Sequence, residues 1–231
     1  MSAEVLILRP QPGADSTAAA ARRLGLEPVV APIFTVHPLI WSPPAGPFDA
    51  VILTSANAAR HGGDGLTPYL HLPCFAVGQA TAAAARAAGF ADVRTGPADG
   101  AALLPAIADE GLRSVFHPGG RNRLRLAHPD LEIVDVPVYA SEPVEALPPQ
   151  GVAALGRGAL VLLHSPRAAA LFAALAVSQD RVRVAAISAA TAAAGGDWAL
   201  VAVAARPRDE ALLELAAELC QTGEAMRHPN A

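Results

Sequence analysis

The side chains able to act on a ligand stand where apolar runs end. Arg9 follows residues 5–8, Ser55 follows 50–54, Gln79 and Thr81 follow 75–77, Ser165 follows 159–163, and Ser188 and Thr191 follow 182–187. Short, continuously apolar runs are the pattern of parallel strands buried on both faces. Turns leaving such strands share one edge of a sheet, and helix N-termini there present free N–H groups and a positive dipole end. Hydroxyls, an amide and arginine in that setting bind anions and polar groups, and the planar guanidinium pairs bidentately with carboxylates. Ser55, Thr81, Ser165 and Thr191 fit equally well as helix caps, each worth about 1 kcal/mol. Arg60, Arg121, Arg123, Arg167 and Arg206 also fall at turns, where solvation competes with ligand binding. Tyr139 is the one weak acid among the strand-end candidates. General acid work from such a group contributes about 10²–10⁴-fold, and packing at the edge of a core is its competing role.

Several chemistries lack their residues. All 17 basic residues are arginine, which removes Schiff bases, a pyridoxal phosphate anchor and a phosphate-loop lysine. His164 and Ser165 are sequence neighbours and would point to opposite faces of a strand, so they form no catalytic pair. The seven histidines show no ligand spacing on a helix. Gly62-Gly63-Asp64-Gly65 and Gly119-Gly120 are glycine turns, not a dinucleotide fingerprint. Neither a metal nor a cofactor is expected. A net charge of −4 advertises neither nucleic acid nor membrane as a partner. Cys74 and Cys220 read as structural thiols. The N-terminus lacks a signal-peptide pattern, and no apolar stretch reaches the length of a membrane span. A soluble, cytoplasmic protein is expected.

The elements that must position these groups alternate strand and helix over 231 residues, the pattern of α/β layers with mostly parallel sheets. A helix is expected over 17–24, capped by Asp15 or Ser16. Residues 32–47 read as a linker or irregular edge, 62–68 as a loop, 117–121 as a turn and 123–127 as a short helix. Asp209 is expected to cap a helix over 210–220, ahead of a polar, frayed tail over 222–231.

The chain also repeats itself. Ser55 and Ser165 lie 165 − 55 = 110 apart, as do Thr81 and Thr191, Pro97 and Pro207, and Val5 and Val115. Residues 26–38 align without a gap on 131–143 at an offset of 131 − 26 = 105, with Phe34 in the place of Tyr139. Both segments have the form Pro-x-Φ-x-x-x-Pro, and residues preceding proline are held extended. Two similar α/β units follow. Sequence alone leaves open whether the extended segments cross between them or the units simply follow one another.

Read in order, Leu8-Arg9-Pro10, Pro32-Ile33, Thr54-Ser55-Ala56-Asn57-Ala58, Ala76-Val77-Gly78-Gln79-Ala80-Thr81-Ala82, Pro137-Val138-Tyr139, His164-Ser165-Pro166 and residues 186–192 resemble the uroporphyrinogen-III synthase family. The resemblance spans nearly the whole chain through short motifs. It implies two similar doubly wound parallel-sheet lobes joined by a two-stranded β ribbon, with a cleft between them. The discontinuous lobe would be 1–34 plus 142–231, the other 40–135, and the ribbon 35–39 with 136–141. The implied substrate is hydroxymethylbilane, a carboxylate-rich linear tetrapyrrole. Loss of its hydroxyl leaves an azafulvenium cation. The last ring then attacks through its substituted carbon, giving a spiro intermediate that fragments and recloses with that ring inverted.

Tyr139 matches the family's tyrosine suspected of helping the hydroxyl leave, and Ser55, Thr81, Ser165 and Thr191 match hydroxyls that line the cleft. Arg9, Gln79 and Ser188 join them as expected substrate contacts. The family more usually has glycine at the place of Ser188, a second hydroxyl at that of Ala190, and Arg-Gly after Phe116, where this chain reads His-Pro-Gly-Gly. The family reading implies a monomer without cofactor or metal, with a transient handover from hydroxymethylbilane synthase. A second reading of the same residues is a non-catalytic two-lobed binding or sensor protein for a small anionic metabolite.

Overall fold

The computed structural model describes residues 3–96, 99–176 and 179–225. Pro97 of the repeat and the tail beyond 225 lie outside the described residues. In chain order the elements are β1 (Ala3–Ile7), α1 (Gly13–Arg23), β2 (Leu26–Val30), β3 (Phe34–Pro38), β4 (Ala50–Leu53), α2 (Ala56–His61), β5 (Cys74–Val77), α3 (Gly78–Ala87), β6 (Val93–Gly96), α4 (Leu104–Asp109), β7 (Ser114–Gly120) and β8 (Glu132–Pro143). There follow α5 (Pro149–Gly156), β9 (Leu160–Leu163), α6 (Pro166–Leu175), β10 (Arg183–Ala186), α7 (Ala189–Ala193), β11 (Leu200–Val203) and α8 (Asp209–Ala225).

The chain divides into two compact units, Met1–Thr35 with Glu142–Ala231, and Val36–Ser141. In the first, the strands run in the order β11-β10-β9-β1-β2, all parallel. Along β1, the residue after it and β9, Val5, Ile7, Leu160 and Leu162 face one core while Leu6, Leu8, Val161 and Leu163 face another. Every one of these side chains is buried, which explains why the strands read as unbroken apolar runs.

In the second unit the order is β3-β8-β7-β4-β5-β6, parallel from β8 to β6. Val51 and Leu53 belong to one core, Ala50 and Ile52 to the other. The edge strand β3 runs against β8. Leu39 N–H donates to Val138 C=O and Val144 N–H to Ile33 C=O, pairs whose numbers move in opposite directions, as in antiparallel strands. β3 and β8 each carry the chain from one unit to the other.

The 110-residue offset has a structural meaning. Ala50 pairs with Val115 in one sheet and Leu160 with Val5 in the other, and 160 − 50 and 115 − 5 both equal 110. The strands β4, β5, β6, β7 and β8 therefore correspond to β9, β10, β11, β1 and β2. Equivalent strands occupy equivalent sheet positions, although one copy is split: its last two strands open the chain and its first three close it.

Local departures from expectation have physical causes. Helix α1 starts four residues early, with Pro12 as its N-cap and no side-chain cap. Asp15 is instead paired with Gln11, whose amide donates to it at 2.7 Å. The loop at 62–68 winds into a 3₁₀ helix, Gly63–Tyr69, over which Trp41 donates to Gly62 C=O at 2.9 Å. Residues 123–127 are not helical. The largest difference is β7, which runs straight through His117-Pro118-Gly119-Gly120. Turn-forming residues predict a break there, but β8 supplies a parallel partner as far as Gly120. On the other side β4 pairs with β7 only at Val115 and Phe116, so Pro118 sits on a strand flank where a missing N–H costs little.

Candidate active site

In the second unit the parallel strands deliver three of the candidates to one sheet edge. Ser55 takes an extended conformation and caps α2, its hydroxyl accepting from Asn57 N–H at 3.2 Å. Gln79 is exposed in the first turn of α3, just after Gly78, whose φ of +69° suits glycine. Thr81 is not a cap; it is buried inside α3. Tyr139 is half-buried on β8, opposite Gly120, where the β7–β8 register shifts. Its ring lies directly on that glycine. A Cβ on Gly120 would stand 2.8 Å from the tyrosine Cζ and 2.9 Å from its hydroxyl. The His61 ring is 6.2 Å away, centroid to centroid, and burial, with Arg60 and His37 nearby, holds His61 below the usual histidine range.

Beneath this edge lies a polar chain that the sequence reading missed. His117 is completely buried. Its Nδ1 is 2.6 Å from Asp135 Oδ1 and its Nε2 is 3.1 Å from Thr54 Oγ1. Arg123 donates from Nε to the same Asp135 oxygen at 3.2 Å and from Nη1 to Gly120 C=O at 2.8 Å. Burial pushes the imidazole pKa down, outweighing the upward pull of Asp135. The available signal was the β7–β8 register, which sets His117 opposite Asp135. It becomes visible only once His-Pro-Gly-Gly is read as strand.

In the first unit Arg9, Ser165 and Ser188 share the corresponding edge. Ser165 caps α6 by accepting from Ala168 N–H at 3.1 Å, with Pro166 at the first helical position. Ser188 caps α7, accepting from Thr191 N–H at 3.2 Å. Thr191 is fully buried and its hydroxyl lies 3.0 Å from that of Ser188, so it supports the cap instead of forming one. Arg9 is drawn into an internal network: Nη1 donates to Thr17 Oγ1 at 3.2 Å and stands 3.7 Å from Asp209 Oδ1. Asp209 also receives Thr17 Oγ1–H at 2.8 Å and faces His164 Nε2 at 2.8 Å. Asp209 is thus the acceptor of a cluster as well as the first residue of α8. Phe34, the echo of Tyr139, is buried under the Arg167 guanidinium, 4.4 Å from the ring centroid.

The cap assignments are testable. Ser165→Ala is expected to lower stability by about 1 kcal/mol in urea denaturation. A marked rise in KM for the substrate alongside it would show that the hydroxyl also meets ligand.

A sequence model of the family described as uroporphyrinogen-III synthase HemD matches residues 15–214. The chain belongs to this family. Among solved structures, uroporphyrinogen-III synthetase from Helicobacter pylori 26695 is 20% identical with a TM-score of 0.65, covering 95% of this chain and 100% of that one. A mutant uroporphyrinogen III synthase from the extremely thermophilic bacterium Thermus thermophilus is 18% identical with a TM-score of 0.52, covering 96% and 100%. At these identities the likeness establishes the shared fold. No protein of curated function matches the sequence directly. None of these findings favours a non-catalytic binding protein. Within the uroporphyrinogen-III synthase family, the edge residues of this chain are neutral hydroxyls, an amide, a tyrosine and the guanidinium of Arg9. Among the described residues no cluster of three or more His, Cys, Asp or Glu is placed to hold a metal, and no helix is long and apolar enough to cross a membrane.

Proposed function

We propose that this chain is a cyclising hydro-lyase that converts hydroxymethylbilane to uroporphyrinogen III, inverting the last pyrrole ring through a spiro intermediate. The family match over 15–214 carries the reading. Tyr139 is the weak acid that protonates the departing hydroxyl. Its half-buried ring is held by Gly120, and its hydroxyl makes no hydrogen bond to a described residue, leaving it free to donate. Arg9, Ser55, Gln79, Ser165 and Ser188 contact the substrate, with backbone N–H groups of the helix N-termini drawing its carboxylates. Thr191, bonded to Ser188, supports the start of α7, and Thr81 is buried inside α3. Arg60 and Arg206, which form no ion pair among the described residues, are further carboxylate partners. The reaction is mostly conformational: holding the reacting carbons close and limiting water supplies most of the rate and the choice of isomer.

The protein is proposed to work as a monomer in the cytoplasm, taking substrate from hydroxymethylbilane synthase by transient handover. Its two free, buried cysteines accord with a reducing compartment, the Cys74 thiol being pushed up to about 12 by burial. The decisive assay supplies hydroxymethylbilane and separates the type III from the type I product. Type III is expected in excess; type I alone, at the rate without protein, overturns the proposal.

A further inference from the structure

The proposed reaction has a proton to remove as well as one to supply. The departing hydroxyl takes up a proton to leave as water. When the ring recloses through its unsubstituted carbon, that carbon must shed the hydrogen it carries. Tyr139 is assigned to the first step; the second needs a base.

The polar chain under the second sheet edge has the geometry of one. A carboxylate only accepts hydrogen bonds, so Asp135 Oδ1, 2.6 Å from His117 Nδ1, fixes the proton on that nitrogen. Nε2 therefore offers its lone pair, and the Thr54 hydroxyl at 3.1 Å donates to it. This polarity is shared with hydroxyl–imidazole–carboxylate sets that activate an oxygen. The imidazole is completely buried, whereas Thr54 is part-exposed at the end of β4, directly before Ser55. A ligand at this edge meets the chain at Thr54. The threonine methyl packs toward Gly100, where a Cβ would come within 2.8 Å. Arg123 joins Asp135 to the carbonyl of Gly120, the glycine on which Tyr139 rests. One scaffold thus holds both the acid and the hydroxyl.

We propose that Thr54 receives the proton of the reclosed ring and passes its own hydroxyl proton to His117 Nε2. The carbon–hydrogen bond breaks and its electron pair returns to the pyrrole. Thr54 Oγ1 gains that hydrogen as its original one moves to the imidazole, and Asp135 steadies the imidazolium. The proton then returns through Thr54 to water, so no oxidant or reductant is involved. The charged groups facing the imidazole are Asp135, which favours its protonation, and Arg123, which opposes it.

The inference rests on the proposed function, so type III formation by the unaltered protein is measured first; its absence overturns both. With that activity present, Thr54→Val, which keeps the shape and loses the hydroxyl, is expected to lower kcat by about 10²-fold or more with KM held, and to lower the melting temperature modestly because the buried His117 Nε2 loses its donor. Thr54→Ser should recover most of the loss. Activity of Thr54→Val close to that of the unaltered protein overturns the relay and leaves the synthase reading intact. The pH profile of the unaltered protein is a second measurement that needs no variant: kcat should fall on the acid side as His117 protonates. Asp135→Asn should move that limb to lower pH. Acid limbs that coincide in the unaltered protein and in Asp135→Asn also overturn the relay.

Discussion

Tyr139→Phe is expected to cut type III formation by about 10²–10⁴-fold while the protein keeps its melting temperature and its affinity for the linear tetrapyrrole. The variant retains the ring, which packs in the core of the second unit and against Gly120. It removes only a hydroxyl without a described hydrogen-bond partner, so no group is left unpaired inside the protein. The loss should therefore appear in kcat and not in KM, as for an interaction made in the transition state. Gly120→Ala should reproduce it by another route, since the new methyl would displace the phenol itself. Steady-state kinetics with product separation is the check, and Tyr139→Phe turnover equal to that of the unaltered protein reduces Tyr139 to a packing residue.

Asp209→Ala is expected to destabilise the first unit by about 3 kcal/mol. The carboxylate accepts from Thr17 and His164 and lies 3.7 Å from the Arg9 guanidinium, so its removal strands two donors and a cation at once. The His164 imidazole is already short of partners, its Nδ1 being buried without one among the described residues. The pH dependence has a defined sign. Burial alone would raise the Asp209 pKa, but the hydrogen bonds from His164 and Thr17 outweigh it and bring the value below 3.8. A carboxyl depressed on folding stabilises the protein above its unfolded pKa, and the contribution is lost as pH falls through the folded value. Urea denaturation in acid should show this loss beginning near pH 3.8 in the unaltered protein and a weaker pH slope in Asp209→Ala. Equal slopes would mean that Asp209 is not held in its network in solution.

The two networks use the same four residue types. Thr54, His117, Asp135 and Arg123 form one; Thr17, His164, Asp209 and Arg9 form the other. They are not copies. By the 110-residue correspondence His164 stands where Thr54 stands, and Ile7 where His117 stands. The units thus share a backbone plan and differ in what lies beneath their strand ends. The aromatic echo shows the same split: Phe34 is closed over by Arg167, while Tyr139 keeps a hydroxyl available.

What the sequence by itself determined were the features that local rules govern. Runs such as Ala50–Leu53 and Leu160–Leu163 were legible as buried parallel strands, because they are short, unbroken by polar residues and followed closely by helix-capping serines. Ser55 and Ser165 were legible as caps, since a cap is decided within three residues. The repeat was legible because equal offsets need no knowledge of contacts. Tertiary structure alone decided the rest. Thr81 and Thr191 lie inside their helices because each chain segment already starts its helix earlier. His-Pro-Gly-Gly became strand because β8 was there to pair with it. Asp209 turned from a cap into an acceptor for Thr17, 192 residues away, and Thr54 found His117 across 63. Such bonds form only after the sheet has set the strand order, so nothing in the neighbouring residues announces them.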